Sequence, residues 1–186
     1  MTVQAAQRLF TVTEYYLMAE AGILSEDDRV ELIEGKIMNM SPIGSRHAAC
    51  VKRLNTLFSR QVGQAALVSV QDPIRLDDYS EPEPDLALLR PRDDFYAQGH
   101  PTPADVLLIV EVADTSEEYD REVKILLYAR AGIPEVWLVS LPRDLFEIYR
   151  RPTPNGYQDV RQARRGEIVV AQSIPGLTMA VDAILG

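Results

Sequence analysis

Apolar residues change their spacing several times along the chain, and each change marks an element. Thr11 and Glu14 stand three apart just ahead of Tyr15, Leu17 and Met18, a capping-box pattern that predicts a short helix ending at Gly22. Residues 29–34 and 36–40 read as two strands hinged at Gly35, hence a hairpin. Over residues 46–64, Val51, Leu54, Phe58 and Val62 recur at threes and fours between charged positions, which predicts an amphipathic helix. The period then shortens: residues 67–71, 74–76 and 84–90 read as strands. Residues 106–112 form a strand that is apolar on both faces, and two apolar faces require covering helices.

A proline-rich loop fills residues 90–103, and Thr115 with Glu118 offers a second capping box for a helix stopped by Gly132 and Pro134. Residues 135–139 predict the next strand. Residues 145–149, 156–161 and 168–171 predict a short antiparallel extension closed by residues 174–177. The order of elements predicts one α/β (α+β) domain over residues 1–186, a mixed central sheet flanked by helices with extra antiparallel strands at its C-terminus.

Composition narrows the class. With 46% hydrophobic and 25% charged residues in 186, the chain has the balance of a soluble globular domain and excludes both disorder and a fibrous repeat. The longest apolar run, residues 106–110, is far below the ~20 residues that span a bilayer. The first eight residues lack the basic and apolar regions of a secretory signal. Cys50 stands alone, so neither an internal disulfide nor a cysteine-built zinc site can form. The expected compartment is the cytoplasm, with no membrane partner. Charge then constrains function: 19 basic against 28 acidic residues give −9, so the overall field repels nucleic acid. Any DNA chemistry needs a local basic surface, or a metal ion that inverts the sign of an acidic site.

No phosphate-cradling glycine loop, His-Glu-x-x-His, nucleophile elbow or Cys-His pair is present, which leaves carboxylates as the candidates. Glu111 interrupts the most apolar strand, where an unpaired charge would cost several kcal/mol, so a cation must stand beside it. A structural ion pair explains it equally well. Asp85 ends the extended Glu81-Pro-Glu-Pro-Asp85 stretch at the start of a strand; a solvated turn aspartate is the plainer reading. Asp120, Lys124 and Tyr128 follow at spacings of four and share one helical face, as an ordinary surface pair also would. His47 opens a helix, where surface and capping histidines are common. Glu31 and Glu34 fall on opposite faces of their strand, so at most one joins a given site.

Taken together, a Pro-Asp at a strand start, a Glu in the next strand and a lysine beyond it resemble the layout of PD-(D/E)XK nucleases. The stretches Glu31-Leu-Ile-Glu-Gly35, Met40-Ser-Pro with His47, Glu81-Pro-Glu-Pro-Asp-Leu-Ala87, Leu108-Ile-Val-Glu-Val-Ala-Asp-Thr-Ser116, Tyr119-Asp-Arg-Glu-Val-Lys124 and Leu127-Tyr-Ala-Arg-Ala-Gly-Ile-Pro-Glu-Val-Trp137 are similar to the Uma family of bacterial restriction endonucleases. The likeness covers nearly the whole chain. It implies a restriction-endonuclease-like core, DNA as substrate, and Mg²⁺ or Mn²⁺ held by Asp85, Glu111 and the Val112 carbonyl. Where the superfamily's Glu-x-Lys calls for lysine, the chain has Ala113; the Uma-type lysine stands on the following helix and matches Lys124. Glu31 or Glu34 would complete a second metal position, and family position favours Glu31.

Arg46, Lys52, Arg53 and Arg60 on the long helix form a candidate DNA-backbone face, against the plainer reading of a solvated helix surface. Cutting two strands suggests a homodimer. The competing classes are a catalytically inert nuclease-fold binding or regulatory module and a carboxylate-pair glycosidase. The glycosidase lacks an aromatic cleft, because Trp137 lies in an apolar strand.

Overall fold

A computed structural model describes residues 7–25 and 27–186, so the signal-peptide reading of the first residues falls mostly outside it. At Thr11 the capping box forms as its spacing predicts. The Thr11 hydroxyl accepts the Glu14 N–H at 3.2 Å and the Glu14 carboxylate accepts the Thr11 N–H at 2.9 Å, opening α1 (Val12–Glu20). Antiparallel strands β1 (Val30–Ile33) and β2 (Lys36–Asn39) follow. Their two-residue turn, Glu34 and Gly35, has φ of 47° and 76°, the doubly left-handed geometry whose twist matches a hairpin. A Cβ at Gly35 would also lie 2.6 Å from the Leu9 Cβ, so this turn needs glycine on two counts.

Helix α2 (Ser45–Gln61) precedes a six-stranded sheet. In spatial order its strands are β3 (Leu67–Ser69), β4 (Leu86–Leu89), β5 (Val106–Ala113), β6 (Glu135–Ser140), β7 (Leu145–Thr153) and β8 (Gly156–Ala163). All neighbours are antiparallel except β5 and β6. A parallel pair requires a crossover, here α3 (Glu117–Tyr119), a π-helical turn (Asp120–Lys124) and α4 (Ile125–Arg130).

Every residue of β5 is buried, as its two apolar faces demand. Leu108, Val110 and Val112 pack with Cys50, Leu54 and Phe58 of α2 and with Trp137. That layer is closed by β9 (Ile168–Val170), β10 (Thr178–Ala180) and α5 (Val181–Leu185). On the other face Ile109 and Ala113 meet Ile125 and Tyr128 of the crossover and Ile33 of the hairpin. Among the described residues no helix is long and apolar enough to cross a membrane.

Three expectations are corrected. Residues 74–76 bury Ile74 and Leu76 yet form no strand, since their amides bond to Pro82, Pro101 and Ser80 carbonyls instead of a ladder. Prolines at 82 and 84 leave the facing segment without the donors a ladder requires. The box expected from Thr115 and Glu118 is absent, because the Ser116 hydroxyl donates to Asp120 at 2.6 Å and the helix opens without a side-chain cap. Arg53 is not a free cation of a DNA face: its guanidinium donates to the Ile184 and Leu185 carbonyls at 2.8 and 2.6 Å. Those carbonyls lie in the last turn of α5, where unpaired acceptors attract cations. Arg53→Met should therefore destabilise the fold by about 1–3 kcal/mol in urea melts while leaving affinity for nucleic acid unchanged.

Candidate active site

The site is built where β4 begins and β5 ends. On β5, Glu111 falls in alternation with Ile109 and Ala113, so its carboxylate turns toward the crossover helices with only 3% of the residue exposed. The needed cation is Lys124, itself 5% exposed, whose Nζ lies 3.5 Å from Glu111 Oε1 and 3.0 Å from Glu31 Oε2. Tyr128, one turn beyond Lys124 on the same face, donates its hydroxyl to Glu111 Oε1 at 2.6 Å.

Glu31 arrives on the hairpin, which is tied to the segment before β4 by the Glu81 amide donating to the Leu32 carbonyl at 2.8 Å. The Glu83 amide donates to Glu31 Oε2 at 3.2 Å. One lysine thus answers two buried glutamates, and removing it would cost about 3–5 kcal/mol by leaving both carboxylates without their cation.

Asp85 precedes β4 by one residue, and its backbone N–H donates to Glu111 Oε2 at 3.3 Å. Its own carboxylate accepts the Val112 N–H at 2.9 Å and the Gln71 amide at 3.2 Å, and pairs with His47 Nε2 at 2.9 Å. His47 reaches it because it lies three and four residues before Cys50 and Val51, on the buried stripe of α2, and so projects over the end of the sheet. Of these, Glu31, His47, Gln71, Asp85, Glu111, Val112 and Lys124 line one cavity of about 370 Å³, together with Asp114, Tyr119 and Asp120.

Burial raises the Glu111 pKa, and Asp120 and Asp85 push the same way against Lys124 and the Tyr128 hydrogen bond. Burial likewise raises Asp120 despite Lys124. For Lys124, burial opposes charge, but Glu111, Glu31 and Asp120 outweigh it and hold the ammonium protonated. His47 follows the same balance: burial lowers it, and the bond to Asp85 with the charges of Asp85, Asp120 and Asp114 raises it overall.

The structure therefore brings together Asp85, Glu111, Val112, Lys124, Glu31, His47, Asp120 and Tyr128. It does not bring Glu34, which sits in the hairpin turn and pairs outward with Arg130 at 2.8 Å. Arg46, Lys52 and Arg60 are exposed on α2; Arg46 donates to the Leu141 carbonyl at 3.1 Å and lies 3.9 Å from Asp114. Several contributors escape sequence reasoning, Glu83 and Asp114 among them. Gln71 reaches Asp85 from a left-handed backbone, φ 56°, which no pattern announces. Tyr119 stands beside Asp120 in the family-like stretch, where its aromatic ring reads as ordinary packing.

The Uma2 family model, described as "Putative restriction endonuclease", matches residues 12–182. Among solved structures, a "putative nuclease belonging to DUF820 from Anabaena variabilis ATCC 29413" is similar with a TM-score of 0.71 and 18% identity, covering 90% of this chain and 96% of that one. The likeness is one of fold. No curated protein matches the chain.

The raised carboxylates fix the sign of one stability trend. A folded-state pKa above the unfolded value means the folded protein binds more protons between the two, so stability falls as pH rises through that window. His47, also raised, loses its contribution in the same direction above its unfolded value near 6.5. In chelator, the melting temperature should fall between pH 5 and 8, and Glu111→Gln should melt higher at pH 8 with a shallower fall. A steeper fall in the variant would contradict the buried-charge account.

Proposed function

We propose that this chain, which belongs to the Uma2 family, is a metal-dependent endonuclease that hydrolyses DNA phosphodiester bonds with Mg²⁺ or Mn²⁺. The observation that carries it is the meeting of Asp85 and Glu111 at one end of the sheet, with Lys124 beside Glu111. The nuclease designation of the Anabaena variabilis protein of like fold supports the same chemistry.

The donor set fits a hard divalent ion. Glu31, Glu83, Asp85, Glu111, Asp114 and Asp120 all line the cavity, where the opposing cations are Lys124, Arg29 and His47 when protonated, so the cavity carries a deficit of positive charge. Among the described residues no three His, Cys, Asp or Glu side chains are already gathered as a metal cage. Zinc would want such a cage, whereas Mg²⁺ takes one or two carboxylates and keeps several waters. Asp85 and Glu111 would hold the ion. The Val112 carbonyl shares their side, since the N–H and C=O of a strand residue face the same neighbour and the Val112 N–H already reaches Asp85.

When bound, the ion supplies charge stabilisation at the phosphate and eases deprotonation of the attacking water. The chain's own groups do the rest. Lys124 orients that water, its flexible stem fixed by Glu31 so that an ammonium proton stays free for it. Gln71 and His47 hold the Asp85 carboxylate in one orientation, and Tyr128 does the same for Glu111. Arg46, one residue from His47, is the exposed cation placed to meet a DNA backbone, with Lys52 and Arg60 further along α2. A second copy would supply the site for the opposite strand, and β8, which among the described residues pairs only with β7, offers an edge for that contact.

Purified protein should cut DNA in Mg²⁺ or Mn²⁺ and fail in EDTA. Lys124→Ala should lower kcat by about 10²–10⁴ while calorimetry still finds Mn²⁺ bound, because the lysine acts on the water and the carboxylates hold the ion. Circular dichroism must show the variant folded. Ion binding at Asp85 and Glu111 without cleavage of any nucleic acid would replace the enzyme with an inert binding module. A light-scattering mass of twice the monomer is expected, and a monomer at micromolar concentration would refute the dimer.

A further inference from the structure

Three buried side-chain polar atoms among the described residues have no hydrogen-bond partner: His47 Nδ1, the Tyr119 hydroxyl and Ser140 Oγ. Two of the three, His47 and Tyr119, belong to residues lining the one cavity that holds Asp85 and Glu111. Native proteins satisfy the great majority of such groups, so a pair left open in one cavity marks a place where something else binds. Tyr119 is the more telling. Glu31, Asp120 and Glu111 all act electrostatically on its hydroxyl, yet it bonds to none of them.

Its position depends on an irregularity in the crossover. Residues five apart on a regular α-helix point about 140° away from each other at 3.6 residues per turn. Between Tyr119 and Lys124 the helix widens into a π turn, in which the Ile125 N–H bonds to the Asp120 carbonyl five residues back. The wider turn carries Tyr119 round toward Lys124, and both residues face the cavity. Burial, reinforced by Glu31, raises the phenol to about 12, so the hydroxyl keeps its proton through the neutral range and is available as a neutral donor. A neutral donor in an acidic cavity suits an acceptor-rich, anionic ligand that enters with its charge offset by a metal ion.

We propose that the Tyr119 hydroxyl touches the substrate, donating its hydrogen bond to a non-bridging oxygen of the scissile phosphate. The assignment rests on the nuclease function proposed above. Negative charge grows on those oxygens as water attacks, so the bond strengthens in the transition state, and the tyrosine keeps its proton throughout.

Tyr119→Phe removes the hydroxyl and leaves the ring, so three measurements separate the outcomes. The melting temperature and Mn²⁺ affinity by calorimetry should equal those of the wild type. Single-turnover cleavage of a DNA duplex in Mg²⁺ should slow by about 10²-fold, the usual loss for one transition-state donor, with KM changed less than about threefold. The wild-type preference between the two phosphorothioate diastereomers at the scissile position should shift in the variant, a readout that a merely structural hydroxyl would leave alone. Cleavage by Tyr119→Phe at the wild-type rate, from a wild type that does cut, would overturn the Tyr119 assignment and leave the nuclease standing. A fall in melting temperature and Mn²⁺ affinity with an unchanged diastereomer preference would make the hydroxyl structural and overturn it as well. A wild type that neither binds nor cuts DNA would remove the nuclease itself, and the Tyr119 assignment with it.

Discussion

Placing the Glu111 carboxylate in the middle of a fully buried strand sets the terms for everything around it. A lone charge there would cost several kcal/mol, so the fold must deliver a cation, hydrogen-bond donors, or both. Lys124 comes from the crossover, Tyr128 from the next helical turn and the Asp85 amide from the residue just before β4. Lys124 in turn is buried, and Glu31 on the hairpin gives its ammonium a second carboxylate partner. Three separate segments, the crossover, the stretch before β4 and the hairpin, are thereby pinned to one end of the sheet by the chemistry of a single side chain. The same cluster holds more carboxylates than cations, which leaves an acidic cavity suited to a divalent ion.

The geometry of the sheet decides where this happens. Because β4 and β5 are antiparallel, the start of one lies beside the end of the other, and Asp85 meets Glu111 although 26 residues separate them. The parallel pairing of β5 with β6 forces a crossover, and that crossover carries Lys124, Tyr128, Asp120 and Tyr119 over the same end. Helix α2 adds His47 from the opposite layer, at the tip of its buried stripe.

Much of this was legible in the sequence where local chemistry and the global fold agree. The hinge at Gly35, the stripe through Leu54 and Phe58, and the doubly apolar run around Glu111 each admit one structure, so their patterns read correctly. The failures lie where tertiary contacts override a local signal. Ile74 and Leu76 alternate like a strand, but prolines on the facing segment remove the ladder. Thr115 and Glu118 resemble a cap, but the intervening Ser116 hydroxyl is drawn to Asp120. Arg53 looks like a surface cation because nothing local reveals that α5 will end beside it. In the site, Glu111 announced its own need for a partner. Gln71 and Tyr119 gave no such sign, since their roles come from a left-handed backbone residue and a π turn that residue spacing does not encode.

The central claim is that Asp85 and Glu111 share one divalent ion, and a crystal soaked in Mn²⁺ with data collected at the manganese absorption edge tests it most directly. The account predicts an anomalous peak between the two carboxylates, about 2.1 Å from an oxygen of each, with waters filling the remaining positions of an octahedron. No peak there while Glu111 stays bound only to Lys124, Tyr128 and the Asp85 amide would contradict it, and would make the cluster a structural ion network.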